Sequence, residues 1–190
     1  MKTALLTLDY IIDIMHPQGR VARCAGHAAE RGVIAEANRA IALARARDWL
    51  VIHVKVGFSP SYVEMPQGSA IFSRAAELQA LNLQGEGTAF HPELDVRPED
   101  AVVAKHRVSP FYATGLEAVL RAQRIERLVV AGVSSTWAVQ AAARDAHDRD
   151  YRVLVLEPAC AAASEEEHQM SMRQLAAIAG IVTQEQLEAL

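Results

Sequence analysis

Short apolar runs of strand length alternate along this chain with segments whose apolar residues recur at helical spacing. The predicted strands cover residues 3–8, 49–56, 101–104, 127–131, 152–157 and 181–183. The predicted helices cover residues 30–48, 114–123, 135–148 and 164–179. Apolar strands separated by helices are typical of a parallel sheet covered on both faces. The alternation therefore predicts an α/β fold with a central, mostly parallel sheet of about six strands.

The segment from Gly57 to Asp100 breaks this alternation. Glycines and prolines interrupt it and its apolar residues keep no sustained period, so we predict irregular structure with one short helix near residues 69–78. Long loops in compact domains often shape binding sites. With 190 residues, of which 51% are hydrophobic, the chain is expected to form a single domain over residues 1–190.

Composition and charge indicate which kinds of partner the protein binds. The formal net charge is -4, and lysines and arginines are scattered among acidic residues, which argues against nucleic acid. No apolar stretch reaches the length of about 18 residues that a membrane span needs, and Asp9 and Asp13 interrupt the apolar N-terminus. The two cysteines, Cys24 and Cys160, are too few for a disulfide framework. We expect a cytoplasmic protein that acts on a small molecule and binds neither membrane nor nucleic acid.

Three polar features follow predicted strands. Asp9 follows the first strand, Lys105 the third, and the turn from Gly132 to Ala138 the fourth. Ligands of parallel sheets bind beyond the carboxyl ends of the strands, so neighbouring strands would bring these groups into one pocket. There Asp9 could act as a general acid or base, and Lys105 could hold a carboxylate ionised or stabilise developing negative charge. The alternative is that Asp9 caps a loop and Lys105 is an ordinary solvated charge.

The turn GVSST, residues 132–136, nearly matches the G-x-S-x-G turn that presents a nucleophilic serine. In that interpretation Ser134 is the nucleophile and His147 or His168 is its base. The backbone N–H groups at the start of the following helix favour another role, the binding of an oxyanion or carboxylate. No His or Cys spacing is typical of a metal site, and no motif predicts a nucleotide, so we expect neither a metal nor a cofactor.

Four segments, in order over nearly the whole chain, resemble one known family. They read LLTLDYIIDIMHPQG, AKHRVSPFYATGL, AGVSSTWAVQAAARDAHDRDY and EPACAAASEEEHQMSM. Together they are similar to the isochorismatase-like hydrolases, also called the cysteine hydrolase superfamily. The resemblance implies a Rossmann-like, three-layer α/β/α fold and a hydrolase that needs no cofactor. It also implies association into a homodimer or homotetramer.

Amidases of that family carry an Asp, a Lys and a Cys at the ends of three strands. The resemblance places Asp9 and Lys105 on the first two positions and Ala138 on the nucleophilic cysteine. A methyl group cannot attack an amide carbonyl, so the resemblance excludes the thiol mechanism for this sequence. The metal-binding Asp and His positions that nicotinamidases have after the second strand are not matched in residues 54–62, so zinc is not implied.

Isochorismatases of the same family lack the cysteine and hydrolyse a vinyl ether, with the aspartate as the acid. The resemblance implies that role for Asp9, although Ile11 lies where many members have a glutamine. Three alternatives stay open. The chain is an acid–base hydrolase of a vinyl ether or other small molecule, an amide or ureide hydrolase whose cysteine is replaced by Ala138, naturally or by engineering, or a small-molecule-binding protein without turnover.

The resemblance also implies the rest of the site. The turn from Ser134 to Ala138, with a cis peptide near Val133–Ser134, would bind an anion. Core packing is the common fate of a tryptophan on an alanine-rich helix, yet Trp137 stands where it could line the pocket or cover it from a neighbouring subunit. We expect the substrate to contact Ser134, Ser135, Trp137 and Phe111.

The two classes of function predict different pockets. An enzyme predicts an open, partly apolar pocket in which Asp9 and Lys105 lie within hydrogen-bond reach of each other. A binding protein without turnover predicts a pocket flooded with solvent or filled by Trp137 or Phe111.

Overall fold

Six parallel strands form one central sheet in a computed structural model that describes all residues from 1 to 190. The strands are β1 (Thr3–Leu8), β2 (Leu50–Val56), β3 (Ala101–Lys105), β4 (Arg127–Val133), β5 (Arg152–Ala161) and β6 (Gly180–Val182). Their order across the sheet is β3-β2-β1-β4-β5-β6, and every neighbouring pair is parallel. This order is that of doubly wound, Rossmann-like folds, which confirms the predicted fold class.

Helices cover both faces of the sheet. They are α1 (Ile12–Met15), α2 (Ala25–Glu30), α3 (Val33–Ala46), α4 (Leu116–Ala122), α5 (Gln140–His147), α6 (Glu165–Leu175) and α7 (Gln184–Glu188). Successive side chains of a strand point to opposite faces. Leu6 of β1 accordingly packs in a core layer with residues of α4, α5 and α6, whereas Leu5 packs in a second layer with residues of α3 and α7. No helix of the chain is both long and apolar enough to cross a membrane.

The predicted helix near residues 69–78 is wrong. The segment forms successive turns, in which Phe72 N–H donates to Ser69 and Ala75 N–H donates to Phe72. A third core cluster explains this path, because Phe72 and Ala75 are buried there against Phe58. Tertiary packing thus overrides the local helical tendency. A single 3₁₀ turn, Glu86–Thr88, is the only regular element between β2 and β3.

Candidate active site

Asp9 is the residue that leaves β1 at the carboxyl edge of the sheet. Its backbone turns into the left-handed region with φ 58°, a conformation that aspartate tolerates better than most residues. Asp9 N–H donates to the carbonyl of Val54 at 2.9 Å, and the Asp9 Oδ1 atom accepts from Val56 N–H at 2.7 Å. The carboxylate is thereby fixed over the end of the neighbouring strand β2.

Lys105 is the last residue of β3 and meets Asp9 directly. Lys105 Nζ lies 2.8 Å from Asp9 Oδ2, and the two side chains are only 2% and 4% exposed. The strands β1 and β3 are not neighbours, because β2 lies between them, so the lysine side chain reaches across the end of β2. Lys105 Nζ also donates to the carbonyls of Val108 at 2.9 Å and Arg107 at 3.3 Å. These bonds hold the ammonium in one position.

Two opposing effects act on the Asp9 carboxyl. Burial raises the pKa of Asp9, while the charge and hydrogen bond of Lys105 lower it, and burial is the larger effect. The pKa of Asp9 is therefore above its ordinary value even with an ammonium in contact. The protonated form of this carboxyl therefore persists to a higher pH than that of an exposed aspartate.

The turn after β4 supplies the third part of the site. The Val133–Ser134 peptide is cis, as the resemblance implies, and residues Ser135–Val139 form a π-helical turn that continues into α5. The carbonyl of Ser134 accepts from the N–H groups of Trp137 and Val139. The N–H of Trp137 is thus already engaged within the turn that was expected to bind an anion.

A cavity of about 560 Å³ lies at the junction of these elements. Asp9, Lys105 and Ala138 all line it, together with Ser134 and Trp137. Ala138 therefore belongs to the wall of the same cavity as the buried ion pair. The volume of the cavity is in the range of small-molecule sites, roughly 300–1,000 Å³.

Trp137 lies at the mouth of this cavity. The side chain is 52% exposed, so Trp137 does not pack in the core, the common fate of a tryptophan on an alanine-rich helix. Ser134 and Trp137 both line the cavity, and their contact with a substrate stays a prediction.

The other two predicted contacts, Ser135 and Phe111, do not line the cavity. Ser135 is fully buried, and its hydroxyl bonds His168 Nδ1 at 2.7 Å on the side away from the cavity. The reason is helical geometry, because adjacent positions of a turn point in different directions. Phe111 is buried in the core, stacked on Tyr151 with ring centroids 6.3 Å apart.

The alternative with Ser134 as nucleophile has no base in the structure. The only side chain that bonds the Ser134 hydroxyl is Thr136, at 3.4 Å. His168 is committed to Ser135 and to Glu157, at 2.8 Å from Glu157 Oε1, and His147 bonds only Asp148. The G-x-S-x-G interpretation lacks the geometry that it requires.

Two thiols lie in or near the site, and neither can replace the missing nucleophile. Cys24 lines the cavity, and burial raises its pKa to about 11. Cys160 is fully buried, burial raises its pKa to about 12, and its S–H donates to the carbonyl of Leu156 at 3.3 Å. Since the thiolate is the reactive form, both groups stay unreactive near neutral pH.

Sequence reasoning missed most of the outer wall of the cavity. That wall comes from residues 20–24 and from the turns of residues 70–78, and it includes Arg20, Arg23 and Arg74. No short-range pattern marks these residues, because their loops are brought to the cavity only by tertiary packing. No group of three or more His, Cys, Asp or Glu side chains is arranged to hold a metal ion.

Comparison with known proteins identifies the family of this chain. The Isochorismatase domain family matches residues 3–186. A ureidoacrylate amidohydrolase RutB from Rhizobium rhizogenes is 33% identical over an aligned length of 144 residues, and the match covers 70% of this chain and 58% of that protein. The chain spans 55–62% of the length of three RutB relatives, this one included.

Solved structures agree in fold. An isochorismatase family protein from Desulfovibrio vulgaris superposes with a TM-score of 0.88 at 21% identity, covering 99% of this chain and 97% of the other. N-carbamoylsarcosine amidase from Thermoplasma acidophilum superposes with a TM-score of 0.79 at 27% identity, covering 97% of each chain. With the match over residues 3–186, this chain belongs to the isochorismatase family of hydrolases.

Proposed function

We propose that this protein hydrolyses a small molecule by acid–base catalysis through Asp9, without a covalent intermediate, and that a vinyl ether is the substrate type. The observation that carries the proposal is the Asp9 carboxyl itself. It is buried at the cavity wall, its pKa is raised although Lys105 Nζ is 2.8 Å away, and the neighbouring Ala138 offers no nucleophile.

The chemistry then runs through one carboxyl group. Protonated Asp9 gives its proton to the terminal carbon of the enol ether, and the substrate becomes an oxocarbenium ion. Water adds to the cationic carbon and loses a proton to the Asp9 carboxylate. The hydroxyl proton of this adduct passes to the ether oxygen as the C–O bond breaks, so a carbonyl compound forms and the alcohol leaves. Lys105 stabilises the carboxylate in the interval when its proton is on the substrate.

A second candidate is an amide or ureide hydrolase scaffold that lacks its nucleophile. It is favoured by the similarity to ureidoacrylate amidohydrolase RutB and to N-carbamoylsarcosine amidase. In this alternative a cysteine at position 138 would attack the carbonyl carbon, and Asp9 would take the thiol proton. The present Ala138 cannot perform that step.

The third alternative, a binding protein without turnover, has less support. One form of it predicts a pocket filled by Phe111 or Trp137. Phe111 lies in the core and Trp137 lies at the mouth, so neither fills the cavity.

The test compares the protein with Ala138→Cys and Asp9→Asn variants on isochorismate and on small amides and ureides. Turnover of the vinyl ether by the parent, lost in Asp9→Asn and retained in Ala138→Cys, supports the proposal. That turnover should also fall as pH rises through the Asp9 pKa, because the acid must hold its proton. Turnover of an amide by the Ala138→Cys variant alone would replace the proposal with the second candidate.

A further inference from the structure

The ionisable residues that line the cavity are unequal in charge. Two carboxylates, Asp9 and Glu167, face four cationic side chains, Arg20, Arg23, Arg74 and Lys105. With all six of these groups ionised, the lining residues have an excess of two positive charges, although the chain as a whole has a net charge of -4.

Ion pairing shows which charges remain for a ligand. Lys105 is paired with Asp9, and Arg23 Nη2 lies 2.6 Å from Glu167 Oε1. Each of these two cations is in direct contact with a carboxylate of the cavity wall.

Arg20 and Arg74 carry the excess. Arg20 Nη1 donates to the neutral backbone carbonyl of Gln79 and makes no ion pair with a carboxylate. Arg74 has one carboxylate neighbour, Glu77, at 3.6 Å, with both side chains more than 65% exposed. This pair is longer than the 2.6 Å Arg23–Glu167 contact and both its side chains are exposed, so the attraction is weak and the Arg74 guanidinium is largely available to a ligand.

The two ends of the cavity differ in depth. The Asp9–Lys105 pair lies at the buried end, whereas Arg20 and Arg74 belong to exposed loop positions at the mouth. The cavity wall as a whole is mainly apolar, since 16 of the 25 lining residues are hydrophobic. A matching ligand has an anionic group at its outer end and an apolar body.

We propose that the cavity selects small carboxylates with an apolar body, and that Arg20 and Arg74 hold the carboxylate at the mouth. The assignment of the inner end as the reacting end rests on the proposed function; the anion preference itself does not. A guanidinium is suited to this role because its planar fork matches the two oxygens of a carboxylate. The ligand bridges loops 20–24 and 70–78, which are far apart in sequence.

Binding of a matched pair of probes tests this directly. Cinnamate and cinnamamide have nearly the same shape and differ in the charge at one end. We expect cinnamate to bind about ten-fold more tightly at low ionic strength, and added salt to narrow the difference. Ligand-observed NMR titration measures both dissociation constants without requiring turnover, so a failure of the proposed hydrolysis leaves this result readable.

Variants assign the effect to residues. Arg74→Gln should weaken cinnamate binding by roughly two- to five-fold, and the double variant Arg20→Gln/Arg74→Gln by about ten-fold. Arg97→Gln is the matched control, because Arg97 is also exposed and also has one carboxylate neighbour at 3.6 Å, but it lies outside the cavity. Unchanged cinnamamide affinity in each variant shows that the cavity has kept its shape.

Two results would overturn the inference. One is that cinnamate binds no more tightly than cinnamamide, which includes the case in which neither binding is detectable. The other is that the double variant binds cinnamate as tightly as the Arg97→Gln control.

Discussion

Replacing Lys105 by methionine should destabilise the protein in a way that depends on pH. The substitution keeps much of the side-chain volume but leaves the Asp9 carboxyl buried without a cation. Burial already raises the pKa of Asp9, and only the charge and hydrogen bonds around it oppose this effect. Removing the ammonium therefore raises the pKa of Asp9 further in the folded state.

The magnitude follows from the depth of the pair. Both side chains are at most 4% exposed, and breaking a buried ion pair on one side costs about 3–5 kcal/mol. The loss of stability arises only when Asp9 is ionised, because only then is a buried charge left without its partner. In the unfolded chain the carboxyl titrates near its ordinary pKa of about 4. Above that pH the folded variant holds more protons than the unfolded chain, so its stability falls by up to about 1.4 kcal/mol per pH unit until the folded pKa is reached.

Urea unfolding at a series of pH values from about 4 to about 8 measures this dependence. Lys55→Met is the matched control, because Lys55 lies in the adjacent strand, donates to the carbonyl of Thr88 at 3.2 Å and pairs with no carboxylate. We expect the difference in unfolding free energy between parent and Lys105→Met to widen as pH rises, and the Lys55→Met difference to stay flat. A Lys105→Met cost that is the same at both ends of the range would refute the argument.

Two further predictions concern the elements that carry the site. Gly132→Ala should lower the free energy of unfolding by about 1–3 kcal/mol or more, because the added Cβ would lie 2.5 Å from Leu8 Cβ in the paired strand. The control is Gly68→Ala, whose added Cβ would have nothing within 4 Å, and urea unfolding measures both variants. His168→Ala should cost about 2–4 kcal/mol, because it opens a cavity and leaves the Ser135 hydroxyl buried without its partner. A thermal midpoint for His168→Ala equal to that of the parent would contradict the second prediction.

The sequence predicted the sheet well because a fully buried parallel strand requires a short, continuous run of apolar residues, which is easy to recognise. All six residues of β1 are buried, which requires the continuous apolar run seen at residues 3–8. The end of such a run also marks the edge where ligands bind, so Asp9 and Lys105 were found from their position alone. Their contact across β2 was not derivable from spacing, because strand order depends on how the crossovers pack.

The orientation of single side chains could not be read from the sequence. Ser134 and Ser135 are chemically identical neighbours, yet one lines the cavity and the other bonds His168. A π-helical turn sets the difference, and no local pattern predicted that turn. Arg20 and Arg74 were missed for a related reason, since only the tertiary packing of their loops brings them to one cavity.

The presence of the buried pair is better explained by chemistry than by stability. Removing water from two charges costs about as much as their attraction returns, so a buried ion pair adds little net stability. We therefore expect Asp9→Asn/Lys105→Met to be less destabilised than Lys105→Met alone, because no carboxylate is left without a cation. Asparagine keeps an acceptor for Val56 N–H and tolerates the left-handed backbone of position 9. A double-mutant cycle in urea measures the coupling between the two sites, and a double variant less stable than Lys105→Met would contradict this argument. If the fold does not need the pair, its place at an open cavity beside Ala138 is accounted for by its use on a ligand.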